Sequence, residues 1–106
     1  LRLFRPPLDP VFGRVVAGGA AERAGLRSGD RVLEAEGRPV ASWEALVRLV
    51  RDRPERVLAL KVEREGVVRP VDVLPEAVNE AGQRIGRIGA APHIPPAHAD
   101  RILVQV

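Results

Sequence analysis

The chain is 106 residues long, 45% hydrophobic and 29% charged, which suits one globular domain and leaves no room for two. It has no Cys, so disulfides, thiolate zinc sites and cysteine nucleophiles are excluded and the redox compartment stays open. Net charge is only +3 although the pI is about 10.9, because sixteen Arg stand beside the single Lys61 with no Tyr or Cys to buffer. The arginines are interleaved with acids, as in Glu22-Arg23, Asp30-Arg31 and Glu63-Arg64-Glu65. A solvated mixed-charge surface is therefore expected, with no nucleic-acid partner. No apolar run approaches the roughly 18 residues that a membrane span needs, and no charged-then-apolar leader opens the sequence. Aromatics are 3%, so the core must come from Val, Leu, Ala and Ile.

In chain order, residues 1 to 10 are Pro-rich and extended. Val11 to Val16 reads as a strand and Ala20 to Ala24 as a short helix with Gly25 as its C-cap. Ser28-Gly29-Asp30 is turn chemistry, followed by a strand from Arg31 to Glu36, a turn at Gly37-Arg38 and an extended pair Pro39-Val40. Ser42 is an N-cap candidate for the best helix, which runs to Arg51 and is stopped by Pro54. Its Trp43, Leu46, Val47, Leu49 and Val50 make one broad apolar stripe.

Val57 to Glu63 and Val67 to Leu74 predict a hairpin turned at Arg64-Glu65-Gly66, with Pro70 pointing to an edge strand or a bulge. Pro75 to Gly82 reads as a polar loop with room for a helical turn, and Arg84 to Ala90 as the last sheet strand. A Pro-rich tail follows, and Arg101 to Val106 alternates again. The sum is an α+β domain of five to six short strands and two helices, a small capped barrel or sandwich.

Catalytic means are few. Ser28 and Ser42 are the only hydroxyl side chains, and both sit where a turn or a helix cap needs them. His93 and His98 are five apart in the Pro-rich tail, without the i, i+4 spacing or carboxylates of a metal site. Gly18-Gly19 and Gly86/Gly89 lack the strand-to-helix setting of a phosphate loop. The chain is read as a binding module, not an enzyme, with no catalytic or metal-binding residue of its own.

Ala24-Gly25-Leu26, Gly29-Asp30-Arg31-Val32 and Gly37-x-Pro39-Val40 lie within the run Val15 to Arg51, which strongly resembles a bacterial PDZ domain. The residue types have physical reasons. Gly25 can take positive φ to end a helix, Leu26 can then enter the core, and Gly29-Asp30 makes a tight reversal in which Asp30 caps backbone amides as a structural acid. Three flanking segments, Arg5-Pro6-Pro7-Leu8-x-Pro10-Val11, Ser42-Trp43 and Leu74-Pro75-Glu76…Gly86-Arg87-Ile88-Gly89, resemble the second periplasmic PDZ domain of site-2 intramembrane zinc proteases of the regulator of sigma-E type.

That resemblance implies the circularly permuted bacterial strand order, with residues 1–91 as the PDZ domain and 92–106 as a Pro-rich extension leading into the parent protein. It implies a module at the periplasmic face of the inner membrane that regulates substrate access during intramembrane proteolysis of an anti-sigma factor. The zinc and its His-Glu-x-x-His motif belong to the parent, and no cofactor is expected in this piece. A serine-protease PDZ domain and a non-enzymatic scaffold or secretion-apparatus PDZ domain are the alternatives.

PDZ recognition adds an extended peptide, a protein terminus or a neighbouring PDZ domain to a sheet edge beside a helix. The expected edge is Leu1 to Arg5 and the expected helix Ser42 to Arg51, with Leu1, Leu3, Val47 and Val50 lining the pocket. Val47 and Val50 could equally be core, whereas Trp43, Leu46 and Leu49 are expected in the core. The Φ-Gly-Φ carboxylate loop aligns its last residue with Leu1, which leaves that loop truncated. Leu103-Val104-Gln105-Val106 has the alternating pattern of a PDZ ligand and could enter a neighbour's groove, or could be an exposed strand.

Overall fold

A computed structural model describes residues 7–95 and residue 106. The elements in order are β1 (Phe12–Val15), α1 (Ala20–Arg23), β2 (Arg31–Ala35), β3 (Arg38–Pro39), α2 (Trp43–Arg51), β4 (Leu58–Arg64), β5 (Val67–Val73), β6 (Glu76–Glu80), β7 (Gln83–Arg87) and β8 (Ala90–Pro92). They form antiparallel sheets in the orders β3-β2-β4-β5, β1-β8 and β6-β7. An α+β domain with two helices was expected, and the described residues show it with eight strands.

Alternation builds the main sheet. Leu58, Leu60 and Val62 of β4 are buried while Ala59 and Lys61 face water, and Val71 and Val73 of β5 lie on the same inner side. The turn between them holds Glu65 at φ 52° and Gly66 at φ 79°, the two positive angles of a type I′ hairpin. Lys61 pairs with Pro70 in unbroken register. β5 is the last strand of its sheet, so the missing Pro70 N–H faces outward and costs the ladder nothing.

Helix α2 starts where Ser42 Oγ accepts a hydrogen bond from the Ala45 amide at 3.1 Å. Trp43, Leu46, Val47 and Val50 are buried, and Trp43 meets the edge of Phe12 in a T-shaped pair with ring centroids 5.5 Å apart. Leu49, expected in the core, is only half-buried because its position turns it toward the rim of the stripe.

Two expectations are corrected. Pro75 to Gly82 is not a loop: Glu76–Glu80 is strand β6, which pairs along its length with β7. Glu76, Asn79 and Glu80 face solvent, so this ribbon lacks the apolar alternation that marks a half-buried strand. Arg84 to Ala90 is not one strand either. It breaks at Ile88-Gly89, where Gly89 takes φ 78° and the chain passes from the β6-β7 ribbon to the β1-β8 pair.

Candidate functional site

The break at Ile88-Gly89 is held from behind by its carbonyls. Ile88 O accepts from the Ala21 amide at 2.7 Å and Gly89 O from the Val16 amide at 2.9 Å. The next two amides are thereby turned the other way. Gly89 N–H and Ala90 N–H both donate to the backbone oxygen of Val106, at 2.7 and 2.8 Å. Val106 N–H donates back to Ala90 O at 2.8 Å. Two adjacent amides converging on one oxygen are the arrangement that holds a carboxylate or carbonyl oxygen.

The ladder fixes which groups face outward. β8 is bonded to β1 through residues on either side of Ala90 and Pro92, with Val16 N–H on Gly89 O and His93 N–H on Val11 O. Strand alternation turns the backbones of Ala90 and Pro92 to the free edge. Pro92 brings no N–H, so the polar groups seen in use on this edge are Gly89 N–H, Ala90 N–H and Ala90 O. Val106 pairs with that edge at Ala90.

Val47, Val50, Ile88, Ala90 and Val106 belong to one apolar cluster. Val47 and Val50 are both buried, and both share their cluster with the edge and its occupant. Leu1 and Leu3 lie outside the described residues. The oxygen-holding amides sit at Gly89 and Ala90, far along the chain from Leu1, where alignment of the Φ-Gly-Φ pattern puts the loop. The sequence signal was Ile88-Gly89 followed by small Ala90, hidden because the stretch reads as one continuous strand.

The motif residues frame the opposite end. Gly25 (φ 92°) follows α1 and its amide returns to Glu22 O at 2.9 Å, after which Leu26 is buried. Gly29 (φ 91°) donates to Phe12 O at 2.7 Å. Asp30 is fully buried, and its Oδ2 accepts from the Arg27 amide at 2.9 Å. Arg64 closes on it with Nε to Oδ1 and Nη2 to Oδ2, each at 2.7 Å. Burial alone would push the carboxyl up. The Arg64 and Arg27 hydrogen bonds and the charges of Arg64 and Arg69 outweigh it and hold Asp30 below the ordinary carboxylate range.

Both hydroxyls have structural work, Ser42 as the helix cap and Ser28 Oγ donating to Gly13 O at 2.8 Å. Among the described residues no group of three His, Cys, Asp or Glu side chains is placed to hold a metal ion. Nor is any described helix long and apolar enough to cross a membrane. A cavity of about 650 Å³ opens between the β2-β3 turn and α2. Glu36 and Asp52 there are set among Arg38, Arg48 and Arg53, a mixed-charge lining without a nucleophile.

The chain is 38% identical over 91 residues to the regulator of sigma-E protease RseP of Escherichia coli, covering 86% of this chain. It is 40% identical over 86 residues to a putative zinc metalloprotease of Neisseria meningitidis, and 38% identical over 85 residues to the zinc metalloprotease RasP of Bacillus licheniformis, covering 80% of this chain in each case. The chain spans about a fifth of the length of these curated relatives. In fold it matches the crystal structure of the PDZ domain of the SdrC-like protein from Listeria monocytogenes, at TM-score 0.63 and 14% identity, covering 85% of this chain and 90% of that one. Residues 11–64 match the PDZ domain family model, and the chain belongs to the PDZ domain family.

Proposed function

We propose that this domain captures an extended peptide at the outer edge of β8, with Gly89 N–H and Ala90 N–H clamping the oxygen of its last bound residue. The observation that supports this most is the convergence of those two amides on one oxygen at 2.7 and 2.8 Å. Backbone pairing at Ala90 sets the register, and the apolar cluster that includes Val47 and Val50 takes an aliphatic side chain. Because Pro92 lacks an N–H, the peptide gains little further along the edge, so recognition concentrates on its final residue. Protein termini with an aliphatic last side chain are the favoured ligands.

The relatives named as zinc metalloproteases and regulators of sigma-E protease support a place for the domain in such a parent. There it acts as a periplasmic-face module that regulates access of a membrane-anchored anti-sigma factor to an intramembrane active site. The zinc and its ligands lie outside this chain. Titrating ¹⁵N-labelled chain with short peptides ending in valine, and with the same peptides amidated, tests the recognition step. Shifts at the Gly89 and Ala90 amides that weaken on amidation are expected. Shifts confined to the exposed Val67-Val68 end of β5, or none at all, would overturn it.

A further inference from the structure

The cleft between the β2-β3 turn and α2 shares no lining residue with the β8 edge, and at about 650 Å³ it falls within the roughly 300–1,000 Å³ of ligand-binding clefts. Its apolar lining includes buried Ala35 and half-buried Ala45 and Leu49. Ala45, Leu49 and Asp52 follow i, i+4, i+7 spacing and so form one stripe of α2 along the cleft. Trp43, Leu46, Val47 and Val50 all finish buried, whereas Leu49 keeps part of its surface for this side. The charges around it are not balanced. Glu36 is already engaged: its Oε2 accepts from the Ala59 amide at 2.7 Å and its Oε1 lies 3.9 Å from Arg53 Nη2. Arg38 and Arg48 are exposed, and among the described residues neither pairs with an acid. Exposed Asp52 is the one opposing charge left over.

We propose that this cleft docks an acidic segment of a partner protein that carries one large aliphatic side chain. The proposal goes beyond the peptide-binding reading of β8 and does not rest on it. The aliphatic side chain covers Leu49 and Ala45 and takes their apolar surface out of water. Acids beside it in the segment meet Arg38 and Arg48, whose guanidinium forks suit a carboxylate. A basic segment finds only Asp52 free and faces two cations. A wholly apolar one strips water from both guanidiniums and gives them no partner. Exposed ion pairs are individually weak, so the aliphatic contact supplies much of the affinity and the arginines supply the selection. Arg38 comes from β3 and Arg48 from α2, so this pair of cations exists only in the assembled fold.

The probe is a short peptide with a central leucine flanked on each side by two acids, acetylated and amidated so that it has no free terminus. It is titrated into the ¹⁵N-labelled 106-residue chain. Saturable shifts are expected at the Gly37, Ala45 and Leu49 amides, and they should weaken as salt is added. Serine in place of the peptide's leucine should weaken binding about tenfold. Arg38→Glu and Arg48→Glu together should also weaken it about tenfold, while Asp52→Asn should tighten it about twofold. All three positions are exposed, and an unchanged melting temperature checks that the variants fold. Absence of binding would overturn the proposal, as would shifts confined to Gly89 and Ala90. Equal affinity for the serine peptide would overturn it too, since that is attraction of any polyanion. So would binding that ignores reversal of the two arginines, or that Asp52→Asn weakens. The valine-ended peptides test β8 separately, so either reading can fail while the other stands.

Discussion

Arg64 grips Asp30 with two parallel hydrogen bonds of 2.7 Å across thirty-four positions of sequence, and its Nη2 also reaches Gly25 O at 2.8 Å. One guanidinium at the end of β4 thus ties the Gly29-Asp30 turn to the glycine just beyond the Ala24 cap of α1. The carboxylate is fully buried, so the bidentate geometry and the Arg27 amide are what make its burial tolerable.

That relationship has a pH signature. The folded-state pKa of Asp30 lies below its ordinary value of 3.8, so the native state resists protonation more than the unfolded chain does. Its contribution is fully present above that ordinary value and is lost as pH falls through it toward the lower native value. Asp30→Asn should reduce unfolding free energy by about 2 kcal/mol at pH 7. The gap between variant and unchanged chain should narrow below pH 4, as read from urea midpoints at pH 7, 5, 3 and 2. A gap that stays constant down to pH 2 would count against the ion pair as its source.

Gly86 is where β7 meets the end of α2. A Cβ built there would stand 2.1 Å from Val50 O and 3.1 Å from Pro75 Cβ, distances that demand backbone movement. Gly86→Ala should therefore cost about 3 kcal/mol or more, the upper range for overpacking. Chemical denaturation followed by far-ultraviolet dichroism measures this. A loss under 1 kcal/mol would show that β7 can slide away from the helix freely.

Trp43 contributes the largest buried side chain and its T-shaped contact with Phe12. Trp43→Ala should destabilise by about 4 kcal/mol, and Trp43→Phe by roughly half as much, since the ring–ring contact is partly kept. Thermal melts of the two variants should keep that order. Equal losses would mean that the indole's size matters less than its other interactions.

At the helix cap, Ser42→Ala should cost about 1 kcal/mol, and Ser42→Asp should restore most of it because a carboxylate also accepts from the Ala45 amide near the helix N-terminus. Failure of Asp to rescue, measured by denaturant midpoint, would point to the burial of Ser42 rather than its hydrogen bond as the source of the loss.

Much of the frame was readable from short stretches of chain because the forces that set it are local. Ser42 ahead of an apolar stripe starts a helix, Glu65-Gly66 between alternating runs closes a hairpin, and Gly25-Leu26 ends a helix and turns inward. Each is decided by residues within a few positions of one another. Strand β6 is illegible for a local reason too, since its exposed Glu76, Asn79 and Glu80 erase the alternation by which strands are recognised.

What the linear chain could not decide was which groups are left without a neighbour. Val47 and Val50 carry the same apolar signal whether they fill a core or line a pocket, and only packing against the other elements assigns them. Asp30 reads as a turn residue in any PDZ-like stretch, and its fixed charge depends on Arg64 arriving from another strand. The outer edge of β8 depends on the turn at Gly89, on β1 taking one side of β8, and on Val106 pairing with the other. Strand pairing is a long-range exchange of hydrogen bonds, so a free edge is a property of the assembled sheet and of no single segment.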